Sequence, residues 1–161
     1  MGREQELGDL ARATIDGNVY LTLGTADEAG VPWTSPVYFV CDGYKEFYWA
    51  SAPEARHSLN LAVRPQLSLV VFDSGAPVYQ GRAVYVSAVG EELSGDELDR
   101  GIEIYNGPAA VRGVGELTRE DVEAPALHRL YRAVAVEQFT TDPAGHPVHG
   151  RALDHRTAVI L

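Results

Sequence analysis

The sequence predicts a mainly β protein, an antiparallel barrel of about six to seven strands with helices inserted between them. Three observations carry this expectation. Short apolar and β-branched runs recur along the chain, among them NVYLTLGTAD, EFYWAS and LYRAVAVEQFTTD. Turn signals such as DEAG, CDGYKE and DPAGHP separate them at short intervals. Helical spacing is confined to about 4–16, about 52–63 and about 94–130, with no internal repeat, low-complexity tract or linker.

The elements follow in order. Leu7, Leu10, Ala11 and Ile15 fall on one side at helical spacing, so residues 4–16 read as an amphipathic lead-in helix ending at Asp16-Gly17. NVYLTLGTAD is a strand, with Val19, Leu21 and Leu23 alternating against Tyr20 and Thr22. VPWTSPVYFV is a second strand, and Pro32 and Pro36 place it at a sheet edge or beside a bulge. EFYWAS makes a third, and the three are expected to form a meander. In SAPEARHSLNLAVRP, Ser51 and Glu54 have the spacing of a capping box and Pro53 suits a first helical turn. Pro65 stops that helix, giving roughly 52–63.

QLSLVVFD is nearly all apolar and belongs at the centre of a sheet. VYQGRAVYVSAVGEEL reads as one long strand with Gly81 as a candidate bend. Residues 94–130 are expected to be mostly helical, headed by Ser94 and by Thr118 with Asp121, with Pro125 interrupting the second helix. LYRAVAVEQFTTD returns to strand, DPAGHP turns, and VHGRALDHRTAVIL closes the chain.

Composition narrows the function. The 161 residues fit a single domain, 1–161, and with 45% apolar and 22% charged residues the chain is an ordinary globular one. No apolar run approaches the roughly 20 residues of a membrane span. The charged N-terminus lacks a secretory signal, and a single cysteine, Cys41, permits no intrachain disulfide. A cytoplasmic protein that does not engage membranes is therefore expected. A net charge of −10 argues against general nucleic-acid binding.

Three stretches are candidates for chemistry. SAPEARHSLN, residues 51–60, opens a helix, whose free N–H groups and dipole suit a phosphate. Arg56 adds a permanent cation, His57 a titratable donor, and Ser51 and Ser58 hydroxyls. A plainer use is equally open: Ser51 caps the helix, Arg56, His57 and Asn60 face water, and Glu54 repels anions. PWTSPVYF, residues 32–39, has prolines flanking Trp33, Thr34 and Ser35. Its unpaired backbone groups can meet a flat heterocycle or simply discourage edge pairing. His146, His149 and His155 have a spacing that transition metals use, but no cysteine or HExxH pattern accompanies them.

No GxSxG elbow, Walker loop or GxGxxG is present, so the chain offers no catalytic residues of those kinds. Cys41 reads as a small buried residue. Glu91, Glu92, Asp96, Glu97 and Asp99 read as a solvated acidic face. Chemistry in such a protein would come from a cofactor.

The order of these pieces, with TSPVYF, a strand ending in WAS, then ARHSLNLAVRPQLSLVVFD, resembles the pyridoxamine 5′-phosphate oxidase-like flavoproteins. The resemblance runs over roughly 8–160 and is clearest from Val19 to Val86. It implies an antiparallel split β-barrel of the FMN-binding type and FMN as cofactor. The resemblance places the flavin phosphate on Ser51, Arg56 and His57, where the family carries a hydroxyl and an Arg-Lys pair. A nearby phosphate is expected to raise the His57 pKa. The isoalloxazine ring is placed along Trp33, Thr34, Ser35, Pro36 and Val37, with Ser35 standing where the family has an arginine. A flavin-proximal glutamine has Gln80 as its nearest counterpart, although Ala83 aligns better.

The resemblance further implies a homodimer with flavin near the interface, where Tyr131 and Phe139 would pack unless they serve the barrel core. It also implies a small-molecule substrate and an electron donor. RALDHRTAVIL does not reproduce the arginine-rich segment that holds pyridoxal phosphate, so vitamin B6 oxidation is not expected. A flavin-dependent oxidoreductase is the leading expectation. A deazaflavin-dependent reductase on the same fold, a flavin storage protein and a cofactor-free interaction module are the alternatives.

Overall fold

A computed structural model describes residues 2–151 and 154–161. Helix α1, Arg3–Asp16, leads into strands β1, Tyr20–Ala26, and β2, Pro32–Tyr38. Strands β3, Val40–Asp42, and β4, Glu46–Ser51, follow, then helix α2, Arg56–Val63. Strands β5, Gln66–Phe72, and β6, Ala83–Glu92, precede helices α3, Gly95–Asn106, α4, Ala109–Arg112, and α5, Arg119–Val122. Strands β7, Arg129–Thr141, and β8, Arg156–Ala158, complete the chain.

The strands form one antiparallel sheet in the order β2-β1-β5-β6-β7-β4-β3, with β8 added to β7. The expected three-strand meander is corrected: β2 pairs with β1 and β3 with β4, but β2 and β3 lie at opposite ends of the order. A single residue, Phe39, joins those ends in the chain. Among the described strands no ladder pairs β2 with β3, and the chain turns a corner between them at Phe39. Phe39 is buried against Phe47 at that corner. Its carbonyl accepts a hydrogen bond from the Arg112 guanidinium at 3.0 Å.

Period-two alternation builds the core. Leu21 and Leu23, Leu67, Leu69 and Val71, and Val84, Val86 and Ala88 line one face. Leu7, Ala11 and Ile15 of α1 pack among them. Strand β4 is buried on both sides: Phe47 and Trp49 join this core, and Tyr48 joins a second one with Leu93, Leu98, Tyr105, Val122 and Leu130 beneath α3 and α5. A bulge at Val136 of β7, opposite the Ser87/Ala88 step of β6, bends the long β6–β7 pair.

Local signals misplaced several boundaries. The long strand expected over 78–93 starts only at Ala83, because residues 77–82 form turns in which Tyr79 takes a left-handed φ of 66°. Gly81 therefore precedes the strand instead of bending it. The region 94–130 is less helical than expected. Helix α3 forms as read, and Thr118 and Asp121 do make a capping box, but α5 stops at Val122. Glu123 is already extended, and Pro125 disfavours helix at the residue before it. The acidic face is ion-paired rather than simply solvated, with Glu91 and Glu97 on Arg132, Asp99 on Arg119 and Glu92 on Arg129.

Candidate functional site

Strand β4 ends at Ser51, which still pairs with Arg129 of β7. A turn over 52–55 then redirects the chain into α2, with Ala55 as its N-cap. The capping box expected from Ser51 and Glu54 does not form, and no side chain caps α2. The reason is geometric: Ser51 is held in the ladder five residues ahead of the first helical position, and its hydroxyl points to His57 instead. The first-turn N–H groups of α2 are left without a side-chain partner, the condition under which a helix start receives an anion.

Helix α2 turns a polar face inward. His57 and Asn60, both buried, meet β1 and β2, and the exposed Arg64 that follows the helix meets the loop between those strands. His57 Nδ1 lies 3.1 Å from Ser35 Oγ, and its Nε2 lies 2.9 Å from Ser51 Oγ. Asn60 donates to Thr25 Oγ1 at 3.0 Å, and Thr25 donates to the Trp33 carbonyl at 3.3 Å. Arg64 donates to the carbonyls of Asp27 and Glu28. Arg56, in the first turn and exposed, lies over the Trp33 ring with its guanidinium carbon 4.5 Å from the ring centroid.

The alternative in which Ser51 caps and His57 and Asn60 face water is therefore overturned: His57 is 9% and Asn60 4% exposed. Burial pushes the His57 pKa below the ordinary histidine value. His57 thus stands where the resemblance places a lysine, bridging two buried hydroxyls in a setting that favours the neutral ring. Ser58 is buried, and its hydroxyl faces the Tyr131 side chain without a partner in good hydrogen-bond geometry. A buried unsatisfied hydroxyl at the third helical position is what a bound polar group would satisfy.

The β2 residues divide between two faces. Ser35 and Val37 are buried on the side of α2 and the core, and Trp33, on the same face, lies partly open beneath Arg56. Thr34 and Pro36 point to the other, exposed face. Gln80 is not brought to this cluster within one chain. It sits in the turn before β6, near the end where Ala83 pairs with Phe72, whereas α2 meets the other end of that sheet at Gly90 and Thr25.

Thr25 and Asn60 were missed as site residues. Their signal was present in the spacing of His57 and Asn60, but only the position of β1 gives that spacing a meaning.

The other candidates resolve differently. Tyr131 belongs to the core, stacked on Trp49 with centroids 5.7 Å apart, and Phe139 is half-buried beside β8. His146 lies 5.0 Å from His149 and 5.4 Å from His155, ring to ring. Among the described residues no group of three or more His, Cys, Asp or Glu side chains is arranged to hold a metal ion. Burial pushes the Cys41 thiol up to about 12, which makes it a poor nucleophile. Among the described residues no helix is long and apolar enough to cross a membrane.

The donor set suits a phosphate group, with fewer donors than the resemblance implies. An uncapped helix start, one permanent cation and the Ser51 and Ser58 hydroxyls remain, without the second cation that lysine would supply at position 57.

Comparison with known proteins agrees with this architecture. No curated protein matches the sequence. A heme-binding protein from Mycobacterium smegmatis superimposes with a TM-score of 0.68 at 19% identity, covering 94% of this chain and 57% of that one. The present chain thus spans little more than half of that protein. HutZ, the heme storage protein from Vibrio cholerae, gives 0.60 at 21% identity over 84% of this chain and 91% of its own. An FAD-binding protein from Mesorhizobium loti gives 0.59 at 19% identity, over 80% and 87%. At these identities the likeness is one of fold. The sequence profile of the pyridoxamine 5′-phosphate oxidase family matches residues 7–151, and over that span strand order, the corner at Phe39 and helix α2 all follow from the residues described above. The chain belongs to the pyridoxamine 5′-phosphate oxidase family.

Proposed function

We propose that this chain binds FMN between α2 and β2 and works as a flavin-dependent oxidoreductase on a small molecule, as a homodimer with flavin near the interface. The observation that carries the reading is the exposed Arg56 guanidinium, seated on Trp33 at an uncapped helix start. In a chain of net charge −10, this is a local positive site built from a fixed side chain and backbone dipoles. Arg56, Ser51, Ser58 and the first-turn N–H groups of α2 would hold the phosphate, and β2 would flank the ring system. The flavin, when bound, supplies hydride or electron transfer. The protein's part is to orient it and exclude water; no side chain here has a matched acid or base partner. A deazaflavin coenzyme is less favoured, since its longer polyanionic tail calls for more cations than Arg56 alone.

A second reading, a binding or storage protein without turnover, is favoured by the commitment of His57, whose two ring nitrogens are both taken by serines. The heme-binding and heme-storage proteins that share the fold belong with this reading. A UV–visible spectrum of the purified protein, with mass identification of whatever heat releases, tests both. A protein that stays colourless after incubation with FMN overturns the flavin reading, and a Soret band that grows with hemin supports heme binding. Bound flavin that NADH, NADPH or reduced deazaflavin never reduces favours storage over turnover.

A further inference from the structure

His57 touches a serine with each ring nitrogen, Ser35 at 3.1 Å and Ser51 at 2.9 Å, and each of the three residues is only 9% exposed. A neutral imidazole has one N–H and one bare nitrogen, and each hydroxyl has one proton to give. With both contacts kept, the bridge has two arrangements. In one, Nε2–H donates to Ser51 Oγ while Ser35 donates its proton to Nδ1. In the other, Nδ1–H donates to Ser35 Oγ while Ser51 donates to Nε2. In each, one serine keeps its proton free to point away from the ring, and the other has turned its proton inward and offers only lone pairs.

The two serines are 16 residues apart in sequence, on β2 and at the end of β4, and these lie at opposite reaches of the sheet order. One end of the bridge is beside the helix start, the other on the strand that would flank the flavin ring. We infer that His57 is a positioning residue that couples these two ends: a phosphate ester accepting a hydrogen bond from Ser51 fixes His57 as the Nε2–H tautomer, so that Ser35 donates its proton to Nδ1 and offers only lone pairs on the side away from the imidazole. The proton count balances without any change of net charge. Nε2 gains the proton that Nδ1 loses, and each hydroxyl retains one proton while changing its direction. An imidazolium would donate to both serines and abolish the coupling, but burial with only hydroxyl partners disfavours the charged ring.

The inference rests on the proposed phosphate position, and its test separates the two. Protein labelled with ¹⁵N-histidine reports each ring's protonation through long-range ¹H–¹⁵N correlations. His57 is assigned by its loss in His57→Gln or, should that variant not fold, by substituting the other histidines in turn. FMN, riboflavin and inorganic phosphate are added separately, and flavin binding is read independently by fluorescence quenching. The expected result is a neutral His57 driven to the Nε2–H tautomer by FMN and by phosphate, but not by riboflavin. In Ser51→Ala, FMN binds about tenfold or more weakly and no longer moves the His57 signals. FMN that binds while His57 keeps its free-state pattern, an imidazolium in the complex, or an equal response to riboflavin overturns the coupling and leaves the flavin reading standing. Absence of FMN binding overturns both.

Discussion

Arg56 lies over Trp33, 4.5 Å from guanidinium carbon to ring centroid, and this contact joins the helix expected to hold an anion to the strand expected to flank a ring. Trp33 is 42% exposed, so the pair forms a surface rather than a piece of core. Stacking stabilises the guanidinium by about 0.5–1 kcal/mol at an exposed site and limits its rotamers, which leaves its N–H edges free for a phosphate.

Replacing Arg56 with alanine is expected to weaken FMN binding about 10- to 100-fold, the effect of losing a charge-assisted contact of ~1.5–3 kcal/mol. Arg56→Lys should retain part of the affinity, because a point charge replaces the planar fork. Fluorescence titration of FMN measures both. An unchanged dissociation constant in Arg56→Ala would remove this residue from the site.

His57 makes stability depend on pH. Its folded-state pKa is lowered by burial, so the unfolded chain binds the proton more readily. The stabilisation is therefore fully present above the ordinary histidine pKa of about 6.5 and is lost as pH falls below it. Thermal melts from pH 8 to about pH 5 should show Tm dropping over this interval, and His57→Gln should flatten that part of the profile. Glu46 and Asp142, whose pKa values are also lowered in the folded state, act in the same direction, but only nearer the carboxylate range. A wild-type profile with the same slope as His57→Gln above pH 5 would contradict a buried neutral ring.

Asn60→Ala should destabilise the fold by about 1–3 kcal/mol, since it removes the donor to Thr25 from a site only 4% exposed. Denaturant unfolding gives the magnitude. Because Asn60 ties α2 to the strands that carry Trp33, flavin affinity should fall as well; loss of stability with full affinity would limit Asn60 to a structural role.

Gly145→Ala tests the turn between β7 and β8. Gly145 has φ of 78°, and a Cβ there would come within 2.3 Å of the Gly150 carbonyl oxygen. The obstructing atoms are backbone atoms of Gly150 and Arg151, which cannot swing aside as a side chain would, so a loss of about 1–3 kcal/mol is expected. Unfolding at the wild-type midpoint would show that the turn relaxes freely.

Much of the fold was legible along the chain. Strands β1, β2 and β4, helix α1, the start of α3 and the Thr118–Asp121 cap all depend on side-chain periodicity or on contacts within a few residues. The edge position of β2 was legible too, because Pro32 and Pro36 cannot donate to a ladder on both sides. The start of β6 was not, since the turns over 77–82 differ from a strand in backbone angles that VYQGR does not dictate.

The sequence by itself determined that this is a mainly β chain with an exposed cation opening its second helix, because those features depend on local spacing and charge. Tertiary structure decided what surrounds that cation. It joined β2 to β3 through Phe39 at opposite sheet ends, set Ser35 and Ser51 on either side of His57, and laid Trp33 beneath Arg56. Whether a histidine at a helix start is a charged ligand or a neutral bridge depends on its burial and on hydroxyls brought from other strands. Those are properties of pairing across the sheet, which no stretch of ten residues contains.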